Sequence, residues 1–179
     1  MNGITQYSGT SFPFGKQESI RFIERTCPGK DSRILDVGPG RGIYNKLLKE
    51  KGYWDIDAVE VYTPYVEAFN LRTMYRNVFN RNVVGFEYDH YNIVIMGDVV
   101  EHLHVEPAQG VVGYARQHCD LVLIAVPYLS VQVGSQLDGS GDHRQPDLTR
   151  SVFLNRYPGF SLLIDNSQLG VFYSLRSGQ

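Results

Sequence analysis

The chain has 179 residues, 42% of them hydrophobic, and a formal net charge of −2, with a sequence pI near 6.2. Its length suits one sizeable core and is short for two, so a single domain over residues 1–179 is expected. Basic residues occur only as scattered pairs, the start MNGITQYSGTSFPFGK lacks the pattern of a secretory signal, and the densest apolar run, LVLIAVPYL, is too short for a bilayer. Nucleic-acid and membrane partners are therefore not expected, and Cys27 and Cys119, far apart and outside any metal-binding spacing, fit a reducing cytoplasm.

Residues 1–16 read as irregular. From 17 to 27, Ile20, Ile23 and Cys27 recur at helical spacing until Pro28 and Gly29 stop them. Ile34–Val37 reads as a strand that breaks into Gly38, Gly40 and Gly42, and residues 43–51 as the helix that follows. Glycines permit unusual backbone angles and close ligand approach, and a helix N-terminus offers unpaired N–H groups. This turn is the expected binding site for a small cofactor.

Residues 56–61 read as a second strand, 64–75 as a helix opened by Pro64, 76–84 as an ambiguous short strand and 91–98 as a buried strand. A helix over 106–119, weakened by Gly110 and Gly113, leads to a strand at 121–127. The longest loop, 129–148, precedes a short helix at 149–157 and two strands at 160–166 and 169–176, joined near residues 167–170. Alternating strand and helix signals imply an α/β domain with a mostly parallel sheet.

A dinucleotide fingerprint would place a further glycine at position 43, where this chain has Ile43, and a pyrophosphate would be repelled by Asp36. A cationic ligand without phosphate is favoured instead. The unbroken acid-x-Gly-x-Gly-x-Gly from Asp36 to Gly42 resembles the first motif of class I S-adenosylmethionine-dependent methyltransferases. The resemblance implies a three-layer Rossmann-like fold with a seven-stranded sheet, six strands parallel and the last antiparallel. It also implies that Asp36, Gly38, Gly40 and Gly42 hold S-adenosylmethionine.

Open sheets of this kind bind ligands beyond the carboxyl ends of their strands, where strand order reverses. Glu60, at the end of the second strand, is expected either at the ribose hydroxyls or merely solvating a strand end. Near the third strand, where many family members carry an acid for the adenine amino group, Asn80 or Asn82 can offer an amide oxygen, with Glu87 and Asp89 farther on.

Residues 96–103, MGDVVEHL, are similar to the acid-x-x-Glu-His-Leu segment of small-molecule methyltransferases related to ubiquinone-biosynthesis O-methyltransferases. Asp98 is expected to face the cofactor's positive end. Glu101 is either a capping-box partner of Asp98 or a functional acid. His102 is a general base, an acceptor-orienting group or a structural histidine, and His104 belongs on the surface.

His143, beside Asp142 and four residues before Asp147, is the other acceptor-side candidate; Asp147 or Thr149 can cap the next helix. No compact multi-ligand spacing appears, so no metal is expected. Gly134, Gly139 and Gly141 suggest a mobile lid over the methyl end. Tyr7, Phe12 and Phe14 either fold over the site or pack on the sheet.

Pro127-Tyr128 follows the wrong strand for a nucleic-acid amino methyltransferase, and neither cysteine forms the Pro-Cys pair of cytosine-C5 enzymes. The expected activity is methyl transfer to an oxygen or nitrogen of a small-molecule acceptor. A non-catalytic methyltransferase-like partner protein and a nicotinamide-dependent oxidoreductase are the alternatives, the latter opposed by Ile43 and Asp36.

Overall fold

The computed structural model describes residues 14–133 and 139–176; Tyr7, Phe12 and Gly134 lie outside them. The elements run α1 (Lys16–Thr26), β1 (Ile34–Val37), α2 (Ile43–Glu50), β2 (Ile56–Val59), α3 (Thr63–Ala68), α4 (Leu71–Met74), β3 (Val78–Phe79) and β4 (Tyr91–Gly97). A 3-10 turn (Val100–His102) leads into α5 (Val105–His118), β5 (Cys119–Pro127), α6 (Arg150–Arg156), β6 (Ser161–Asp165) and β7 (Leu169–Leu175).

All seven strands join one sheet in the order β3-β2-β1-β4-β5-β7-β6. Strands β1 to β5 pair in parallel, and β7 lies antiparallel between β5 and β6. Strand order therefore reverses between β1 and β4, which is where the expected site lies.

Apolar residues fill both faces because successive strand side chains point opposite ways and helices cover each side. Val94, Met96, Val122 and Ile124 pack with Ala108, Val112 and Ala115 of α5 and Phe153 of α6. Ile93, Ile95, Leu121 and Leu123 pack on the other face with Ile20 and Ile23 of α1 and Leu48 of α2; Phe14 joins that cluster, on the sheet.

One local expectation is corrected. The helix expected over 64–75 is two short helices, because Asn70 turns left-handed at φ 51, a conformation a short amide side chain tolerates. The glycines of α5 do not shorten it: the helix runs for 14 residues on a buried Ala108, Val112 and Ala115 stripe, so packing outweighs a propensity cost of about 1 kcal/mol per glycine. Asn166 closes the last hairpin by accepting the Gln168 and Leu169 amides at 2.8 and 2.9 Å. No helix among the described residues is long and apolar enough to cross a membrane.

Candidate active site

A cavity of about 310 Å³ opens at the carboxyl ends of β1, β2, β4 and β5, within the size range of small-molecule sites. Gly38, Gly40, Glu60, Asp98, His102 and His143 all line it. Asp36, Gly42 and Asn80 do not.

At the first turn, Gly38, Gly40 and Gly42 take φ values of 62°, 50° and 69°, which only glycine adopts without strain. A Cβ on Gly38 would stand 2.6 Å from Val99 Cγ2, so the strand ends also pack too tightly for a side chain. Gly42 serves packing instead: its side faces Met74 and Tyr75, at the start of α2.

Asp36 lies beneath the turn rather than at its surface. Tyr75 donates to Asp36 Oδ2 at 2.6 Å, and the carboxyl is 1% exposed. Burial pushes its pKa up to about 6, while the Tyr75 bond and the nearby Lys16 charge pull it down. Lys16 is itself buried, with Nζ 4.4 Å above the Tyr44 ring. Burial lowers its pKa, and the charges of Asp98 and Asp36 counter that. Sequence reasoning missed Lys16 and Tyr75, since nothing in the local pattern marks a lysine at a helix start or a distant tyrosine as partners of this acid.

Glu60 ends β2 with its carboxylate on the cavity. Oε1 accepts the Tyr62 amide at 2.9 Å. Burial raises its pKa to about 7 against the Tyr62, Gly40 and Val61 backbone bonds that favour the anion. Asn80 is committed elsewhere: Thr63 Oγ1 donates to its Oδ1 at 2.9 Å, and its Nδ2 donates to the Glu60 carbonyl at 2.8 Å. It fastens β3 to the end of β2. Asn82, with Arg81 and Val83, lines that end of the cavity instead.

Asp98 follows β4 at φ 57, a left-handed conformation that aspartate tolerates better than most residues. Its amide donates to the Ala125 carbonyl of β5 at 3.0 Å, which fixes the bend. The capping-box expectation fails here. Val99 occupies the cap position of a turn only three residues long, with no side-chain cap, and Glu101 is turned inward at 1% exposure. Burial and the Asp98 charge hold the Glu101 carboxyl well above the usual range.

His102 and His143 meet edge to face, ring centroids 4.8 Å apart. His102 Nδ1 faces the Asp142 carbonyl at 3.3 Å, and His143 Nδ1 faces the Ser130 carbonyl at 2.8 Å. Burial, and then His143, push the His102 pKa down to about 4, so the ring is neutral near pH 7. His104 is exposed, as expected.

The described part of the long loop is anchored near its C-terminal end by hydrogen bonds that its glycines gave no sign of. Arg144 and Gln145 donate their amides to the Glu101 carbonyl at 2.7 and 3.1 Å. The buried Gln145 side chain donates to the Val100 and Leu103 carbonyls at 2.9 and 3.0 Å and accepts from Tyr157 at 2.9 Å. This latch holds His143 against His102. Thr149 caps α6 through the Val152 amide, while Asp147 pairs with Arg156 at 2.6 Å.

Several solved structures share this fold. Magnesium protoporphyrin IX methyltransferase from Synechocystis PCC 6803, with SAH bound, aligns at TM-score 0.65 and 12% identity, over 90% of this chain and 82% of that one. The N-terminal domain of EvdMO1, with SAH and D-fucose, aligns at 0.67 and 13%, over 93% and 90%. The methyltransferase domain of bacterial CtHen1-C aligns at 0.61 and 21%, over 90% and 97%. No curated protein sequence matches the chain. Residues 14–150 match the family model of a methyltransferase domain, a span that holds the glycine turn, both strand-end acids and the two histidines. On that match and that shared sheet, the chain belongs to the methyltransferase-domain family.

Proposed function

We propose that this chain transfers the methyl group of S-adenosylmethionine to an oxygen or nitrogen of a small-molecule acceptor by in-line displacement. The observation that carries the reading is the lining of a single cavity, which brings the glycine turn, Glu60 and Asp98 together with two facing imidazoles. Glu60 accepts from the ribose hydroxyls, the Gly38 and Gly40 backbone admits the amino-acid portion, and Asp98 favours the cationic end. Asn82, which lines the cavity where Asn80 does not, takes the adenine-edge role through the second lone pair of its Oδ1, the first accepting the Val84 amide at 2.8 Å.

The sulfonium makes the methyl group a good electrophile, so alignment and exclusion of water are the protein's main tasks. His102 and His143 stand on the acceptor side, where a neutral ring nitrogen can orient a hydroxyl or amine or take its proton. The protoporphyrin in the name of the Synechocystis enzyme and the D-fucose present with EvdMO1 fit a small acceptor, as does the net charge of −2, which gives little electrostatic hold on a polyanion.

The intact Gly38, Gly40 and Glu60 set argues against a non-catalytic partner protein, and Ile43 against a nicotinamide enzyme. The unpaired Cys27 and Cys119 suit a cytoplasmic setting. The test is transfer of labelled methyl from S-adenosylmethionine across a panel of hydroxylated and amino small molecules. Label appearing in at least one acceptor supports the reading, and a protein that binds the cofactor but labels none of a broad panel favours the partner-protein alternative.

A further inference from the structure

Glu101 is the most anomalous side chain in the described molecule. It is 1% exposed, and neither carboxylate oxygen has a hydrogen-bond partner among the described residues. A buried carboxyl without a partner is costly whether neutral or ionised, and the neighbouring Asp98 adds negative charge that a bound cation would offset. What stands beside it is a pair of imidazoles: one ligand atom each from Glu101, His102 and His143 lie within 4.8 Å of one another, and His102 Nε2 is 4.0 Å from Glu101 Oε1.

The rings are also oriented as metal-binding histidines usually are. Each has its Nδ1 against a backbone carbonyl, Asp142 for His102 and Ser130 for His143, an arrangement that fixes the tautomer and presents Nε2 as the donor. The Gln145 latch supplies the remaining rigidity, holding the His143 segment to the Glu101 carbonyl. Ligand atoms around one ion at 2.0–2.2 Å stand about 3–3.5 Å apart, so closure needs side-chain movement of roughly 1 Å.

We propose that Glu101, His102 and His143 form a divalent transition-metal site whose open positions face the acceptor end of the cavity. Two imidazole nitrogens and one carboxylate suit a first-row transition ion, such as Zn²⁺, Co²⁺ or Mn²⁺, better than an all-oxygen-seeking ion. The sequence conceals the site because Glu101 and His102 adjoin, while the third ligand comes from a loop 41 positions on.

The ion's purpose rests on the methyl-transfer reading; its location does not. An acceptor hydroxyl bound to it would lose its proton to bulk water more readily. The oxygen lone pair then forms the new O–CH₃ bond as the S–CH₃ bond breaks, with that electron pair staying on sulfur. The histidines are ligands in this scheme rather than bases.

The test uses full-length protein stripped with EDTA and titrated with CoCl₂, read by visible absorption and by calorimetry, with SAH titrated in parallel. Expected is one equivalent of Co²⁺ with d–d bands in the wild type, and affinity weakened roughly tenfold or more in both Glu101→Gln and His143→Ala. Both variants should keep wild-type SAH affinity, which also reports that they fold; should Glu101→Gln lose it, His143→Gln on the surface loop takes its place. Absence of saturable Co²⁺ binding in the wild type, or wild-type Co²⁺ affinity in any folded variant, overturns the site. Co²⁺ binding without SAH binding would leave the metal site standing and overturn the methyl-transfer reading instead.

Discussion

Around the glycine turn, where we propose the cofactor lies, the chemical groups sit on strand termini that the parallel pairing of β1, β2 and β4 already fixes, with Ile34 to Val37 in register against both neighbours. On the proposed acceptor side, His143 is held near His102 by hydrogen bonds that tie its loop to the turn after β4, from the Arg144 amide and from Gln145. The first end is set by the sheet and by glycine backbone, the second by a handful of hydrogen bonds between segments some 40 residues apart in sequence. Substitutions at the two ends should therefore separate, affecting cofactor binding at one and turnover at the other.

The largest effect is expected at Gly40. Its φ of 50° is strained for a β-branched residue and it lines the cavity, so Gly40→Val should abolish SAH binding in calorimetry. Normal binding would remove the glycine turn from the site. Next is His143→Ala, which should lower turnover by roughly 10²–10⁴-fold while SAH affinity stays near wild type; parallel loss of both would show that the two ends are not separable.

Glu60→Ala should weaken SAH by about 1.5–3 kcal/mol, the scale for a charged hydrogen-bond acceptor, and unchanged affinity would move the ribose site elsewhere. Gln145→Ala strands the Val100 and Leu103 carbonyls and Tyr157, and should cost about 1–3 kcal/mol of unfolding free energy. Turnover should fall more than SAH affinity in this variant; equal losses would mean the latch supports the whole cavity.

The smallest expected effect is on pH dependence. Burial raises Asp36 from 3.8 to about 6 and Glu60 from 4.5 to about 7. Because both pKa values are raised on folding, the stability these groups contribute is fully present below pH 3.8–4.5 and is lost as pH rises through about 6–7. Thermal midpoints of ligand-free protein should include a decline from pH 5 to pH 8 that Glu60→Gln reduces. SAH affinity should run the opposite way, rising with pH through about 7 as Glu60 ionises. A decline of the same size in Glu60→Gln would assign it to other groups.

The sequence was most informative where chain position and spatial position coincide. Strand-ending Glu60 and Asp98 reach the cavity because a parallel sheet brings all carboxyl ends to one edge, and two glycines of the first turn follow for the same reason. Side-chain direction was less legible. Asp36 and Gly42 match a motif by spacing, yet one faces Tyr75 beneath the turn and the other packs on Met74.

Spacing also suggested a capping box at Asp98 and Glu101, where a left-handed Asp98 turns Glu101 into the interior instead. Asn80 is drawn away by Thr63 and the Glu60 carbonyl, and the loop's glycines gave no sign of the remote anchor at Gln145. These misses share a cause: each depends on a tertiary partner that local pattern does not encode.

Both ends of the cavity take their meaning from the ligand that the glycine turn and Glu60 admit. Calorimetric titration of the purified protein with SAH and, separately, with NAD tests its identity most directly. Saturable one-to-one SAH binding, weakened in Glu60→Ala and without comparable NAD binding, is the predicted result; NAD binding as tightly as SAH, or no SAH binding at all, would contradict it.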